Sequence, residues 1–436
     1  TLPPPPPPLP PPRRLKPPAA WPHSLPLSEL GYGRLPVRPD GTVEDWAAGI
    51  RRSWAVGEIG AQRALEAFVS GGIQRFEGRE RFRADQANTA AISPHLRFGE
   101  LSARAVLHSV RERASAPTFL RRLAWRDLAY WALWRFPHLP SRPFRPWFEA
   151  QAWSSDQPAL EAWQAGATGF PLVDAAMAQL WATGWMPNYM RHVVAGFLVE
   201  FLNLDWRHGL RWFDYTLVDA DTAINAYMWQ NGGHSGMDQW NFVMHPVFAA
   251  KSCDPEGDYV RRWLPQLAAL PVEYIHCPWE APFALRAAAG VVLGGNYPKR
   301  ILDDLEAARR ASHAAVMAVR RGPARGQVLP SGHEWLALDN GVRATLITRE
   351  DYREGTLSRD GELITGDKIR TRQSADDKWD ARRRERTDFL SRALGDAARE
   401  HQAAARRGGG GGGAGSGRGA APRRSPDLVS CARQEA

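Results

Sequence analysis

The chain has 436 residues, 44% of them hydrophobic, with 19 tryptophans and a net charge of +9; that is room for one large or two ordinary domains around a real core. Beyond residue 320 lie 22 basic and 17 acidic residues, so much of the positive balance sits in the flanks and a high pI says little about nucleic-acid binding by the folded part. Cys253, Cys277 and Cys431 form no CxxC and no zinc-spaced cluster, and no apolar run is long enough to span a membrane; these exclude a disulfide scaffold, a zinc site and a membrane span, and suit a reducing interior, with nucleus, cytosol or plastid equally open.

Residues 1–42 open with polyproline, which forms neither helix nor sheet ladders and is expected to be a mostly disordered leader. From Val43 the text turns helical. Residues 43–56 and 58–70 carry apolar positions at helical spacing, divided by Gly57. Residues 72–88 are polar and read as a connection. Asn88 or Thr89 reads as a cap, Ser93-Pro94 restarts a helix, and Ser102 caps another running to Glu112. Helices are then expected over 116–136, 158–166, 170–182, 187–203, 207–216 and 219–230. The glycines of 232–246 read as a loop. A helix restarts at Asp254-Pro255, and 298–320 reads as one long helix. There is no βαβ alternation and no GxGxxG, so a Rossmann site is not indicated. The expected fold is an all-α, multi-helix domain over 43–320. Residues 321–407 read as a partly folded charged extension, with a short hairpin around Asp339-Asn340-Gly341 and a helix over 376–407. Residues 408–436 are Gly/Arg-rich and are expected to be disordered.

The chemistry centres on residues 185–231, where Asn188, Arg191, His192, Asp219, Asp221 and Asn225 recur in an apolar, aromatic background. Ionisable groups are costly to bury unless paired, so a helical protein that buries this set is expected to wrap it around something polar. In NTAAIS (88–93), small residues before a helix start leave N–H groups and hydroxyls free. This is how a phosphate is held without lysine, although the same text also marks an ordinary cap. Asp221 and Asn225 share a helix face, with Asp219 placed to cap; the aspartates read as an acid/base pair or as capping groups. A buried Arg191 needs a carboxylate, which the Asp219/Asp221 pair offers. His192 alone reads as a hydrogen-bonded core histidine, and Trp153, Trp206 and Trp229 as core packing.

Taken together, TAAISPHLRFGELS, AWQAGATGFPLVDAAMAQLWATGWM, DWRHGLRWFDYTLVDAD and CDPEGDYVRRWLPQLAALP resemble, in order, the flavin-binding half of the cryptochrome/DNA photolyase family. The resemblance implies an all-helical domain holding a U-shaped FAD. It implies that Thr89, Ala90, Ala91, Ile92 and Ser93 meet the diphosphate and that Arg126 lies by the pocket. Arg191 is implied to pair with Asp219 beside the isoalloxazine, while Asp219 and Asp221 approach the flavin and ribose edges. Asn188 would stand near flavin and substrate, and Asn225 opposite flavin N5, where an amide resembles photolyases and plant cryptochromes typically carry an acid. Trp229, Trp206 and Trp153 match the family's electron relay.

Other positions depart from the family. Arg122 stands where dimer-repairing members carry Glu, and Asn231 where they carry a second pocket Trp, although Trp125 is kept. His192 occupies a site that is Met in one repair class and His in the other, whose second His is missing at Asn188. A proline-rich leader stands where the family has its antenna domain, so a second chromophore is not expected. The resemblance thus implies a cryptochrome-like photoreceptor, with a DNA photolyase and a flavin-less helical scaffold as alternatives. Candidate partners are damaged or single-stranded DNA and a signalling protein reached through the C-terminal extension.

Overall fold

The computed structural model describes residues 14–346 except 33, 86–87, 114–115, 238–243, 331 and 339–340, together with 6, 7, 9 and 12; the side chains of 27, 79, 112 and 113 are also left aside. The expected 376–407 helix, the Gly/Arg tail and Cys431 lie outside the described residues, as do the centre of the 232–246 loop and two residues of the hairpin turn.

Two large apolar cores, beside a small cluster of Phe148, Val316, Val319 and Ala324, organise the helices. After α1 (Ala48–Ser53), which buries no residue, the smaller core is built by α2 (Glu58–Ala67), a π turn and α3 (Ile73–Glu77), with α4 (Ser93–Arg97), α5 (Ala103–Arg113) and α6 (Pro117–Arg135) following. Leu65, Phe68, Ile73, Val106 and Val110 meet there. The α3 helix corrects the connection expected over 72–88: Ile73 is wholly buried while Arg75 faces water, and one buried residue per turn leaves little apolar period to read. The first helix is also shorter than the expected 43–56, because Val43 forms an isolated antiparallel bridge with Val37. Ser102 caps α5 as expected, accepting from Ala105 N at 3.2 Å.

The 19-residue α6 joins the two cores. Phe119 and Leu123 lie in the smaller one; Ala129 and Ala132, two turns on, lie in the larger. The larger core is enclosed by α7 (Gln157–Ala165), α8 (Pro171–Thr183), α9 (Asn188–Gly196), α10 (Trp206–Thr216) and α11 (Thr222–Gly232). Asp156 caps α7 from its side chain, Pro171 opens α8, and Gly184 ends it with φ 68°, the left-handed C-cap that glycine adopts without strain. After α12 (Ala250–Cys253), α13 (Asp258–Trp263) starts one turn later than Asp254-Pro255 implies. Asp254 stays outside the helix, and its carboxylate accepts from Tyr259 N and Val260 N at 2.8 and 3.1 Å. After α14 (Phe283–Ala288), the long helix α15 spans Leu305–Arg321 rather than 298–320, because Asp304 caps it through Ala307 N.

Strands appear only after the helices, among the described residues. β1 (Glu334–Ala337) and β2 (Arg343–Leu346) form an antiparallel hairpin with Glu334 opposite Leu346. Leu336 and Leu346 join the larger core. Glu334 is buried between Arg145 and Arg320, at 2.7 and 2.8 Å. Among the described residues, no helix is long and apolar enough to cross a membrane.

Candidate flavin site

The segment 88–92 is not helical. Asn88 and Thr89 therefore do not cap α4, whose N-cap is Ile92 without a side-chain bond. Asn88 is buried and donates back to the Glu80 carbonyl. Ala91 sits at φ 47°, a left-handed conformation that costs a non-glycine residue about 1 kcal/mol or more. The twist leaves the amides of Thr89 to Ser93 without a backbone acceptor among the described residues. Two contacts hold this segment. Trp185 Nε1 donates to Ser93 Oγ at 3.1 Å, leaving the hydroxyl proton free to donate elsewhere. Arg97, at the end of α4, donates to the Ala220 carbonyl in the turn before α11.

That turn separates the roles of the two aspartates. Asp221, and not Asp219, caps α11, its Oδ1 accepting from Ala223 N and Ile224 N at 3.1 and 3.2 Å. Its Oδ2 accepts from Tyr130 Oη at 2.6 Å. Burial, and then this carboxylate, raise the Tyr130 hydroxyl above its usual range. Arg126, one turn earlier on α6, lies 4.7 Å over the Tyr130 ring. Asp219 pairs with Arg191, Oδ2 to Nη2 at 2.7 Å, while Arg191 Nε donates to the Met186 carbonyl at 3.1 Å.

Asn225 is buried on the inner face of α11, its Nδ2 donating to the Leu210 carbonyl at 3.1 Å and to Asp214 Oδ1 at 2.7 Å. Burial raises the Asp214 carboxyl, and the Asn225 amide opposes that. With its amide hydrogens spent on α10, Asn225 presents its oxygen elsewhere. Trp229 and Trp206 are almost wholly buried, at 3% and 1% exposure, whereas Trp153 is half-buried. Trp153 adjoins Ser154, whose amide donates to Asn203 at 2.7 Å, just before α10. Trp125 is half-buried on α6, 6.0 Å from Tyr227. His192 is buried 5.9 Å from Tyr189, and Asn231 is buried at 1% exposure at the end of α11.

These residues suit FAD by the chemistry they leave over. Asn188 Nδ2 and Asp219 Oδ1 are buried and find no partner among the described residues. Such groups are costly unless satisfied. Together with the amides of 89–93 that have no backbone acceptor among the described residues, they offer donors for a diphosphate and a donor and an acceptor for a polar ring edge. No cluster of metal-binding side chains occurs among the described residues. Sequence reasoning missed Tyr130, Trp185, Arg97 and Asp214. Only Tyr130 carried a signal, its i+4 spacing from Arg126 on α6.

The family description "FAD binding domain of DNA photolyase" matches residues 119–317. The deoxyribodipyrimidine photo-lyase of Agrobacterium fabrum is 41% identical over 315 residues, which are 70% of this chain and 64% of that protein. Cryptochrome-1 of Arabidopsis thaliana is 37% identical over 61% of this chain and 41% of its own length. A bacterial class III photolyase from Agrobacterium tumefaciens superposes with a TM-score of 0.64 at 40% identity, over 70% of this chain and 63% of that one. A Synechocystis cryptochrome does so with a TM-score of 0.56 at 29% identity, over 60% and 56%. The chain thus spans less than two thirds of the length of these relatives. It belongs to the DNA photolyase/cryptochrome family, through that family's FAD-binding domain.

Proposed function

We propose that the chain is a blue-light-absorbing flavoprotein that works by one-electron transfer, as a cryptochrome-like photoreceptor. Bound FAD supplies the absorption of blue light and the acceptor for one electron. Thr89 to Ser93 hold the diphosphate with backbone and hydroxyl donors, Arg126 lies beside the pocket, and Asn188 and the Arg191–Asp219 pair orient the ring. Asp221 anchors the start of α11 so that Asn225 faces the same site. Trp229 donates first, Trp206 refills Trp229, and Trp153 passes the charge towards solvent.

The observation that carries this reading is the presence of orphaned buried groups, Asn188 Nδ2 and Asp219 Oδ1, beside two almost wholly buried indoles, Trp229 and Trp206, and a half-buried third, Trp153. The signal is read out through the C-terminal extension, residues 321–436, to a partner protein. Binding of that partner in blue light but not in darkness is the expected result, and equal binding in both would contradict it.

A second reading, DNA repair, is favoured by the 41% identity to a photolyase. Here Trp125, His192 and Asn188 would border a flipped-out pyrimidine dimer that takes and returns one electron. Asn231 fits this pocket poorly, since it is buried at 1% exposure. Light-dependent restoration of ultraviolet-irradiated DNA, weakening steeply with salt, is the result this second reading requires.

A further inference from the structure

Helices α10 and α11 lock together through two glycines that no turn requires. Gly209 lies inside α10, where glycine is a poor helix former. Gly233 closes α11 at φ −87°, which any residue adopts. What both positions share is lack of room. A Cβ on Gly209 would lie 2.5 Å from Cζ3 and 2.6 Å from Cζ2 of Trp229, and nearer still to Cη2. A Cβ on Gly233 would lie 2.5 Å from both Cδ1 and Cγ of Trp206. Real side chains do not approach so closely, so alanine at either place would push an indole aside.

The arrangement is reciprocal. Trp206 and Gly209 are three residues apart on one face of α10, and Trp229 and Gly233 are four apart on one face of α11. Each tryptophan rests on the other helix's glycine, which fixes an antiparallel register. Asn225 bonding to Leu210 and Asp214 keeps the same register one turn away. Phe213 closes on Trp229 edge to face at 5.1 Å.

We propose that Gly209 and Gly233 are positioning residues of the electron relay, seating Trp229 and Trp206 one helical turn apart along the α10–α11 seam. This rests on the relay reading given above. In the step concerned, one electron passes from neutral Trp206 to oxidised Trp229. Trp229 returns to neutral and Trp206 holds the positive charge until Trp153 supplies the next electron. An added thiol finally reduces the outermost indole. That thiol loses its proton to water and pairs with a second as the disulfide, whereas the transfer between the indoles makes and breaks no bond, so the rate of that transfer is governed by how closely and in what orientation they meet.

The test uses the full chain carrying Gly209→Ala or Gly233→Ala, beside wild type, Trp206→Phe and Trp229→Phe. In darkness, near-ultraviolet circular dichroism reads the coupling of the two indoles without needing flavin. Either phenylalanine variant should abolish that coupling, and each glycine variant should lower it by at least half. Under blue light with a thiol, each glycine variant should show a photoreduction yield at least fivefold below wild type while FAD content and far-ultraviolet dichroism are retained. Wild-type yield in both glycine variants would overturn the proposal and leave the relay standing; wild-type yield in Trp206→Phe would overturn the relay reading itself. Should Gly209→Ala fold poorly, adding Trp229→Phe makes room for the methyl group and should restore part of the lost unfolding midpoint. Strict additivity of those two changes would overturn the seat.

Discussion

Asp219 and Asp221 stand two residues apart and do different work. Asp219 gives one oxygen to Arg191 and keeps the other buried without a partner among the described residues; Asp221 is consumed by capping α11 and by Tyr130. Asp219→Asn should weaken FAD binding at least tenfold in a fluorescence titration. It should cost only about 1–2 kcal/mol in urea unfolding, because Arg191 is part-exposed and keeps its bond to Met186. Asp221→Ala should behave the other way, losing about 2 kcal/mol as cap and Tyr130 bond go together, with Asp221→Asn restoring most of it. Sequence alone assigned the cap to Asp219 because both aspartates precede the same apolar run. The distinction comes from Arg191, 28 residues upstream, and from Tyr130 on α6, contacts that no local pattern encodes. That Arg191 pairs with one of the two aspartates was legible, since an arginine in an apolar helix demands a carboxylate; Asp219 as the partner followed from the family resemblance alone.

At the scale of elements, α6, α8 and α10 were legible from their apolar period, helped by Pro117 at the start of α6 and by Pro171 and Gly184 at the ends of α8. The misplaced starts of α13 and α15 have one cause: Asp254 and Asp304 cap from outside the helix, so the acidic residue lies before the element that it appeared to begin or to continue. A further carboxylate staples the turn between α7 and α8. Asp174 accepts from Thr168 N and Oγ1, Gly169 N and Tyr297 Oη. Burial nonetheless pushes its carboxyl up to about 6. The unfolded chain ionises this group near 3.8. Its contribution is therefore fully present below that pH and is lost as pH rises through about 6, by about 3 kcal/mol. Asp174→Asn cannot accept all four donors and should be less stable throughout. Its deficit in unfolding midpoint relative to wild type should be largest near pH 4 and shrink towards pH 7. A deficit that stays constant over this range would contradict the raised carboxyl.

For the described molecule as a whole, the hairpin is tied to the helical core by charge. Glu334 sits wholly buried between Arg145 and Arg320, and Arg145 also donates to the carbonyl of His234 just beyond α11. Glu334→Ala would take the shared carboxylate from two buried guanidinium groups and should cost about 3–5 kcal/mol, with hydrogen exchange rising first in β1 and β2. Unchanged protection there would show that the ions do not hold the hairpin. Neither arginine was recognised from sequence, because the contacts with Glu334 span 189 residues for Arg145 and 14 for Arg320, separations that match no helix or strand period. The most direct test of the central claim is the absorption spectrum of the purified chain in darkness and again after blue light with a thiol reductant. Bound FAD that bleaches in wild type, and bleaches far more slowly in Trp206→Phe, is the predicted result. Bound FAD that stays oxidised under light, or a folded chain that takes up no FAD, would contradict the account.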